Sequence, residues 1–225
     1  MNGIVGNRNA THKMVWRMSV IEEHMDESTH RREQMGELSS VIRECRKCPL
    51  WKDTHNAVPG EGNPAAKLVF IGEAPGRQED LTGRPFVGRA GSLLERLLAG
   101  IGLTRSDVFI ANIVKHRPPE NRDPRESEIE ICTPYLDQQI RLIEPEIIVT
   151  LGRHSTRYIL SRVPIEFEKI TDIRGKVFPV TFAGRKVRII PTFHPAAALY
   201  NPAYRADLEE DFRTIRDELT VTEPR

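Results

Sequence analysis

Three cysteines and one histidine have the spacing best suited to binding a metal ion or a cluster. Cys45 and Cys48 form a CxxC pair, and the remaining thiol, Cys132, lies far away along the chain. A CxxC pair suits a redox centre, half of a zinc site or half of an iron–sulfur site, and it also arises from two incidental cysteines. His116 follows a predicted strand and precedes Cys132 by 16 residues, so it is the best candidate for a fourth ligand.

Four other side chains suited to chemistry lie in loops of the predicted fold. Glu73 lies in a Gly-Glu-Ala-Pro-Gly turn after one predicted strand, Asn112 ends another, and His194 follows the last. Phe86 lies in an Arg-Pro-Phe-Val-Gly segment. Each is weak evidence alone, because a single phenylalanine is more often core and a single asparagine more often a turn former. Together they suit the binding and removal of a planar, hydrogen-bonding base.

The apolar periodicity predicts the elements that position these loops. Short apolar runs alternate with helical patterns, which indicates an α/β fold with a parallel sheet covered by helices on both faces. Because parallel strands bring their carboxyl ends to one edge, the loops after them are expected to share a site. The predicted strands are residues 67–72, 108–114 and 146–151, and a hairpin of 177–182 with 187–193.

The same patterns predict the domain boundaries. Residues 1–35 have mixed charge and no long apolar face, so we expect a mobile N-terminal extension, followed by a single domain at 36–220. A short helix is predicted at 38–46. Asp123, followed by Pro124, is predicted to cap a later helix.

Composition and charge exclude several functional classes. The 225 residues carry 33 Lys and Arg against 32 Asp and Glu, so the net charge of +1 argues against a uniformly basic nucleic-acid binder. Residues 151–188 carry nine basic side chains against three acidic ones, which allows a one-sided polyanion site, whereas 207–218 is acidic. The odd cysteine count argues against a disulfide framework, and no apolar run spans a bilayer. A reducing, cytoplasmic location is therefore expected.

From residue 38 to residue 214 the sequence resembles the iron–sulfur uracil-DNA glycosylases of family 4. The matching motifs are GEAPG at 72–76, RPFVG at 84–88, the stretch from Asn112 through RPPENRDP at 117–124, residues 146–152, and HPAA at 194–197.

The resemblance implies a fold, an activity and a partner. The fold is a three-layer α/β sandwich with a central, mainly parallel four-stranded sheet. The activity is that of a hydrolase that flips uracil out of DNA and cleaves its N-glycosidic bond in base excision repair. The implied partner is uracil-containing DNA, single- or double-stranded, bound by a monomer in a prokaryotic cytoplasm beside the nucleoid.

The resemblance also implies which residues bind uracil. Asn112 would read the Watson–Crick edge of the flipped base, and Phe86 would stack on it. The backbone around Ala74 would touch the base, and Glu79 would exclude a C5 methyl group. Cytosine presents the inverse donor and acceptor pattern, so a fixed amide would reject it.

Catalytic and DNA-binding roles are implied in the same way. His194, next to uracil O2, would stabilise the departing anion, and Glu73 would orient water or offset the cationic sugar. The loop after His194 would enter the duplex with Leu199 as the wedge. The expected DNA contacts are Pro195, Ala196, Leu199, Arg153 and Arg174.

Family 4 members hold a [4Fe–4S] cluster with four cysteines, and three of these positions match Cys45, Cys48 and Cys132. The remaining position is His116. The UdgX branch of the superfamily is similar here, with a histidine after a Val-Lys pair, so the resemblance implies a [4Fe–4S] cluster with three Cys ligands and one His ligand. That branch also carries an inserted basic loop whose histidine becomes linked to the sugar. This sequence runs from His116 directly into Arg117, so we expect a turnover enzyme.

Two alternatives stay open at the level of sequence. One is a cluster-stabilised DNA- and uracil-binding module with little or no catalysis, in which His116 has cost the protein its activity. The other is a zinc-bearing accessory domain of a polymerase-like protein. Uracil release distinguishes the enzyme from the first, and a metal analysis distinguishes iron from zinc.

Overall fold

The strands of this protein are short runs of apolar and β-branched residues that meet in one sheet. The computed structural model describes residues 28–221, and six strands lie in this part of the chain. In chain order they are β1 (Glu61–Gly62), β2 (Leu68–Gly72), β3 (Phe109–Asn112), β4 (Ile147–Leu151), β5 (Phe178–Phe182) and β6 (Arg185–Thr192). Strands β2, β3 and β4 are buried at every position, because helices cover both faces of the sheet.

The sheet has the order β1-β3-β2-β4-β6-β5, and its four central strands run parallel. The predicted mainly parallel sheet is confirmed, but the expected count of four strands is corrected to six, because β1 and β5 add antiparallel edges. Strands β5 and β6 form the predicted hairpin, which turns at Ala183 and Gly184 with φ of 51° and 82°. Strand β1 has only two residues and is too short for an apolar pattern to reveal it.

Helices cover both faces of the sheet, which confirms the predicted three-layer α/β sandwich. They are α1 (residues 28–43), α2 (Arg77–Thr82), α3 (Arg89–Gly100), α4 (Glu126–Ile143), α5 (Arg153–Leu160), α6 (Ile170–Ile173), α7 (Ala197–Tyr200) and α8 (Ala203–Thr220). Strand β2 shows the alternation, since Val69 and Ile71 pack toward α1, α4 and α5 while Leu68 and Phe70 pack toward α3 and α8. Within the described chain, no helix is both long and apolar enough to cross a membrane.

Helix α1 begins earlier than the sequence predicts. Residues 28–35, which were expected to belong to a mobile extension, form its first turns, and Met35 is buried with Leu38 and Ile42 in the core. Residues 28–35 therefore belong to the folded part of the described chain. The rest of the predicted extension, residues 1–27, lies outside the described residues.

Helix α4 begins later than predicted. It starts at Glu126, and its N-cap is Arg125, whose backbone N–H donates to Glu128 Oε2 at 2.8 Å. The expected cap, Asp123, lies two residues before Arg125, so its carboxylate is available for contacts elsewhere.

Candidate active site and metal centre

A pocket of about 350 Å³ opens at the carboxyl edge of the sheet. Glu73 follows β2, Asn112 ends β3 and His194 follows β6, so three parallel strands deliver these residues to one edge. Phe86 enters from the loop between α2 and α3. The volume lies within the range of small-ligand sites. The structure thus brings together the sequence-predicted residues Glu73, Ala74, Glu79, Phe86, Asn112, His194 and Ala196.

Asn112 presents an unsatisfied amide to this pocket. The residue is only 2% exposed, and its Oδ1 has no hydrogen-bond partner among the described residues. Gly72 pairs with Asn112 in the sheet, and a Cβ atom on Gly72 would lie 2.4 Å from that oxygen and 2.7 Å from Phe86 Cζ. Only glycine fits there. Because a buried unpaired acceptor is costly, the amide is suited to a ligand that supplies the missing donor.

His194 is held as a neutral donor. Burial lowers its pKa to about 4, although the charge of Glu79 opposes this shift. Its Nδ1 accepts a hydrogen bond from the backbone N–H of Ala196 at 3.1 Å, so the neutral ring carries its proton on Nε2. The ring also stacks on Phe86, with 5.5 Å between ring centroids and 27° between planes.

Glu79 joins two loops of the site. Its Oε2 accepts the Gly76 N–H at 3.1 Å, and its Oε1 accepts the N–H groups of Val87 and Gly88 at 2.9 and 2.8 Å. The carboxylate therefore clamps the GEAPG turn to the RPFVG segment. The contacts of Glu79 are with backbone, which differs from the methyl-excluding contact that the sequence predicts.

Glu73 lines the pocket as a carboxylate with an unusual pKa. Its pKa is raised to about 7 by burial first and by repulsion from Asp123 second, with Arg153 opposing both. No side chain within residues 28–221 donates a hydrogen bond to this carboxylate at hydrogen-bonding distance. A group with this pKa exchanges a proton readily near neutral pH.

Asp123 and His154 flank Glu73, and sequence reasoning missed both. Nε2 of His154 lies 3.1 Å from Asp123 Oδ2 and 3.8 Å from Glu73 Oε2. These three donor atoms lie close enough for a metal ion, but the guanidinium of Arg153, 3.2 Å from the same nitrogen, already faces them. His154 lies three residues after the end of β4. His194 was predicted because it follows a strand, and the same criterion would have identified His154.

The loop after His194 presents a different side chain from the one predicted. Pro195 is buried and Ala196 lines the pocket. Leu199, the predicted wedge, packs against the core beside α3 and α8, whereas Tyr200 is 88% exposed. The exposed side chain of this loop is therefore an aromatic one.

The two arginines expected to contact DNA differ in their surroundings. Arg174 is 17% exposed, and its guanidinium binds the Asp207 carbonyl, Glu210 and Asp211 at 2.7, 2.9 and 2.8 Å. Acidic groups of α8 occupy the donors of Arg174 in this structure, so a phosphate would have to compete with them, and the contact of Arg174 with DNA stays a prediction. Arg153 is half-exposed at the edge of the pocket and stays a candidate.

The three cysteines lie near one another in the fold. Cys45 follows α1, Cys48 precedes a 3₁₀ turn at Pro49–Asp53, and Cys132 lies in α4. All three are free thiols. Burial raises the pKa of Cys132 to about 11, and the charges of Cys48 and Cys45 contribute to that shift, so the sulfurs lie within electrostatic range of one another.

Two buried groups, His116 and its neighbour Lys115, test whether a cluster fits. His116 is 4% exposed, and its Nδ1 has no hydrogen-bond partner in the described part of the chain. Lys115 is fully buried, and its backbone N–H donates to Cys132 Sγ at 3.2 Å. The Lys115 ammonium donates hydrogen bonds to Asn112 O and Gln139 Oε1. Burial lowers its pKa to about 8, and the charge of Cys132 opposes this shift. An unpaired imidazole nitrogen and a buried lysine next to Cys132 fit an anionic iron–sulfur cluster.

Comparison with known proteins agrees with this geometry. The family model described as the uracil DNA glycosylase superfamily matches residues 59–220. The type-4 uracil-DNA glycosylase of Saccharolobus solfataricus is 55% identical over 81% of this chain and 85% of its own length. The type-4 enzyme of Sulfurisphaera tokodaii is 53% identical over 86% of this chain and 88% of its own. That of Archaeoglobus fulgidus is 50% identical over 80% and 92%.

Proposed function

The chain belongs to the uracil-DNA glycosylase superfamily and excises uracil from DNA as a hydrolase of DNA repair, and we propose that the pocket around Asn112 performs this excision. The observation that carries the assignment is the buried Asn112 amide, whose Oδ1 has no partner among the described residues.

The amide of Asn112 matches the edge of uracil. Its oxygen accepts the uracil N3–H, and its NH₂ group donates to O4. Cytosine offers an acceptor at N3 and a donor at its amino group, so both contacts would be lost. Leaving buried polar groups unpaired costs about 1–3 kcal/mol each, which is sufficient to reject cytosine. Phe86, whose ring lies next to Gly72, stacks on the base.

Cleavage moves one electron pair and one proton. The bond between C1′ and N1 breaks, its electrons stay on uracil N1, and the sugar becomes cationic. The Nε2–H of neutral His194 donates to uracil O2 and stabilises the developing anion. The oxygen of a water molecule then bonds to C1′, and the proton that it loses passes to the Glu73 carboxylate. A neutral histidine suits this role, because it donates a hydrogen bond without adding a buried charge.

Excision assays on two variants test this assignment. Asn112→Ala and His194→Ala are expected to lose release of uracil from a single-stranded oligonucleotide, measured by alkaline cleavage of the abasic product. His30→Ala, which changes an exposed histidine of α1, serves as the control and keeps full activity. Full activity in both pocket variants would contradict the assignment.

We also propose that Cys45, Cys48, Cys132 and His116 hold a [4Fe–4S] cluster. The spacing of the donors supports a group larger than one ion: a tetrahedral zinc site with Zn–S bonds near 2.3 Å places its sulfurs about 3.8 Å apart. Among the described residues, no three of these four donors lie within 4.8 Å of one another. When bound, the cluster supplies covalent links among the end of α1, the segment after Asn112 and α4. The hydrolysis itself transfers no electrons.

Ligation by His116 is tested by iron content. His116→Cys restores a four-cysteine donor set and is expected to retain iron, whereas His116→Ala is expected to lose iron and the visible absorbance of the cluster. His30→Ala, a change at an exposed histidine of α1, is again the control. Iron and thermal stability equal to those of the unchanged protein in His116→Ala would refute the ligand assignment.

DNA binding is assigned to the loop after His194 and to Arg153. The exposed ring of Tyr200 replaces Leu199 as the side chain that enters the duplex when the base leaves it, while Pro195 and Ala196 shape the loop. The protein acts on single- or double-stranded DNA as a monomer, in the cytoplasm beside the chromosome.

A further inference from the structure

The backbone of Phe86 has a conformation that requires support. Its φ of 50° lies in the left-handed region, which residues with a side chain adopt rarely and at a cost. Glu79 holds the chain just after Phe86 by accepting the N–H groups of Val87 and Gly88. These contacts hold the N–H groups that follow Phe86, whereas its carbonyl group needs a separate contact if φ is to stay positive.

Arg105 supplies that second contact. Its guanidinium donates to the carbonyl oxygens of Pro85 and Phe86, at 2.6 and 3.0 Å. The side chain is 15% exposed, and its Nε lies 3.2 Å from Glu61 Oε1, in the edge strand β1. A rigid guanidinium that binds two successive carbonyls fixes both peptide planes at once.

The ring of Phe86 has little freedom once these peptides are fixed. A Cβ atom on Gly91 would lie 1.8 Å from the Phe86 carbonyl oxygen, so the backbone of α3 packs directly on that peptide. On its other side the ring approaches Gly72, and it also stacks on His194. Movement of the Phe86 carbonyl would therefore change the position of the ring.

We propose that Arg105, held by Glu61, is a positioning residue that places the Phe86 ring for stacking on uracil. This inference rests on the stacking role of Phe86 proposed above. Arg105 acts through the backbone and contacts neither the base nor the reacting atoms.

Arg84 provides a matched control. It also binds Glu61, through Nε and Nη2 at 2.6 and 2.8 Å, but it donates no hydrogen bond to either carbonyl within the described chain. Arg84→Met removes one partner of Glu61 and leaves the carbonyl contacts in place. Arg105→Met removes the carbonyl contacts as well.

The experiment compares these variants in the full-length protein. The measured quantities are kcat and KM for a single-stranded uracil oligonucleotide, the inhibition constant of free uracil, and the melting temperature. Arg105→Met is expected to raise KM and the inhibition constant roughly fivefold to tenfold with kcat nearly unchanged, as for a loss of uniform binding. Arg84→Met is expected to leave both constants unchanged. Arg105→Lys, which keeps a donor, should recover part of the affinity.

A double-mutant cycle with Phe86→Ala completes the test. Arg105→Met should have no further effect on uracil affinity once the ring is absent, because the two residues act through one contact. Three results would overturn the proposal. One is an equal change of uracil affinity in Arg84→Met and Arg105→Met, and another is additivity of the two changes in the cycle. The third is a lowered melting temperature of Arg105→Met with unchanged uracil affinity. An unchanged inhibition constant in Phe86→Ala would instead refute the stacking role itself.

Discussion

The backbone N–H of Ala196 donates to Nδ1 of His194 at 3.1 Å, two residues along the same loop. This contact assigns the tautomer of the ring, because an accepting Nδ1 leaves the proton of a neutral imidazole on Nε2. The loop that carries the exposed Tyr200 therefore also orients the group proposed to stabilise the uracil anion. The segment proposed to bind DNA and the residue proposed to stabilise the leaving group therefore contact each other.

The buried neutral state of His194 predicts how stability depends on pH. Its folded-state pKa of about 4 lies below the ordinary 6.5, so the unfolded chain binds more protons between these values. Stability from this residue is therefore fully present above pH 6.5 and is lost as the pH falls through 4. Denaturant unfolding of wild type and His194→Gln at pH 7 and pH 4.5 measures the difference. The wild type should lose more stability than the variant, and equal losses would contradict the buried neutral state.

The charges around Glu73 predict how kcat/KM falls on the acid side of its pH profile. If Glu73 acts as a carboxylate, kcat/KM should fall as the pH drops below about 7. Asp123→Asn removes a repelling charge and should move this limb to lower pH. Arg153→Gln removes an opposing cation and should move it to higher pH. A single-turnover pH profile measures both shifts, and Asp53→Asn, an exposed change in the 3₁₀ turn, is the control. Shifts in the same direction would contradict this electrostatic account.

The clamp formed by Glu79 predicts a loss of stability. Glu79→Ala leaves three backbone N–H groups without their acceptor and should lower the free energy of unfolding by about 1–3 kcal/mol. Glu79→Gln keeps one acceptor oxygen and should be milder. Chemical denaturation measures both. Excision of thymine, assayed alongside, should stay absent in Glu79→Ala, and its appearance would favour the methyl-excluding role instead.

The exposure of Tyr200 predicts a difference between substrates. Tyr200→Ala should slow excision from a U:G duplex roughly tenfold, because base–aromatic stacking contributes about 1–3 kcal/mol. Excision from single-stranded DNA should change little, because no side chain has to fill the space that a flipped base leaves in a duplex. Leu199→Ala should instead lower the melting temperature, since Leu199 packs against the core. Initial rates of excision on the two substrates distinguish a wedge role of Tyr200 from one of Leu199. Equal slowing of excision from both substrates in Tyr200→Ala would exclude Tyr200 as a wedge.

The central strands and the positions of the pocket residues along the chain can be predicted from the amino-acid sequence. Apolar runs of strand length are visible without a structure, because burial on both faces demands them. The residues after those runs share one edge by the geometry of parallel strands, so Glu73, Asn112 and His194 were found together. Strand β1 escaped detection because two residues carry no periodicity.

Which charges meet and which side chains stay exposed depends on the packing of distant segments. The position of His154 after a strand is visible in the sequence, but nothing in the spacing of Asp123 and Arg153 shows that they surround Glu73, since their elements meet only when the sheet is assembled. The ion pairs of Arg174 with acidic groups of α8, and the packing of the partly buried Leu199 against the core, are likewise visible only in the folded chain. Sequence periodicity records the burial of each element, whereas contacts between distant segments arise only from their packing.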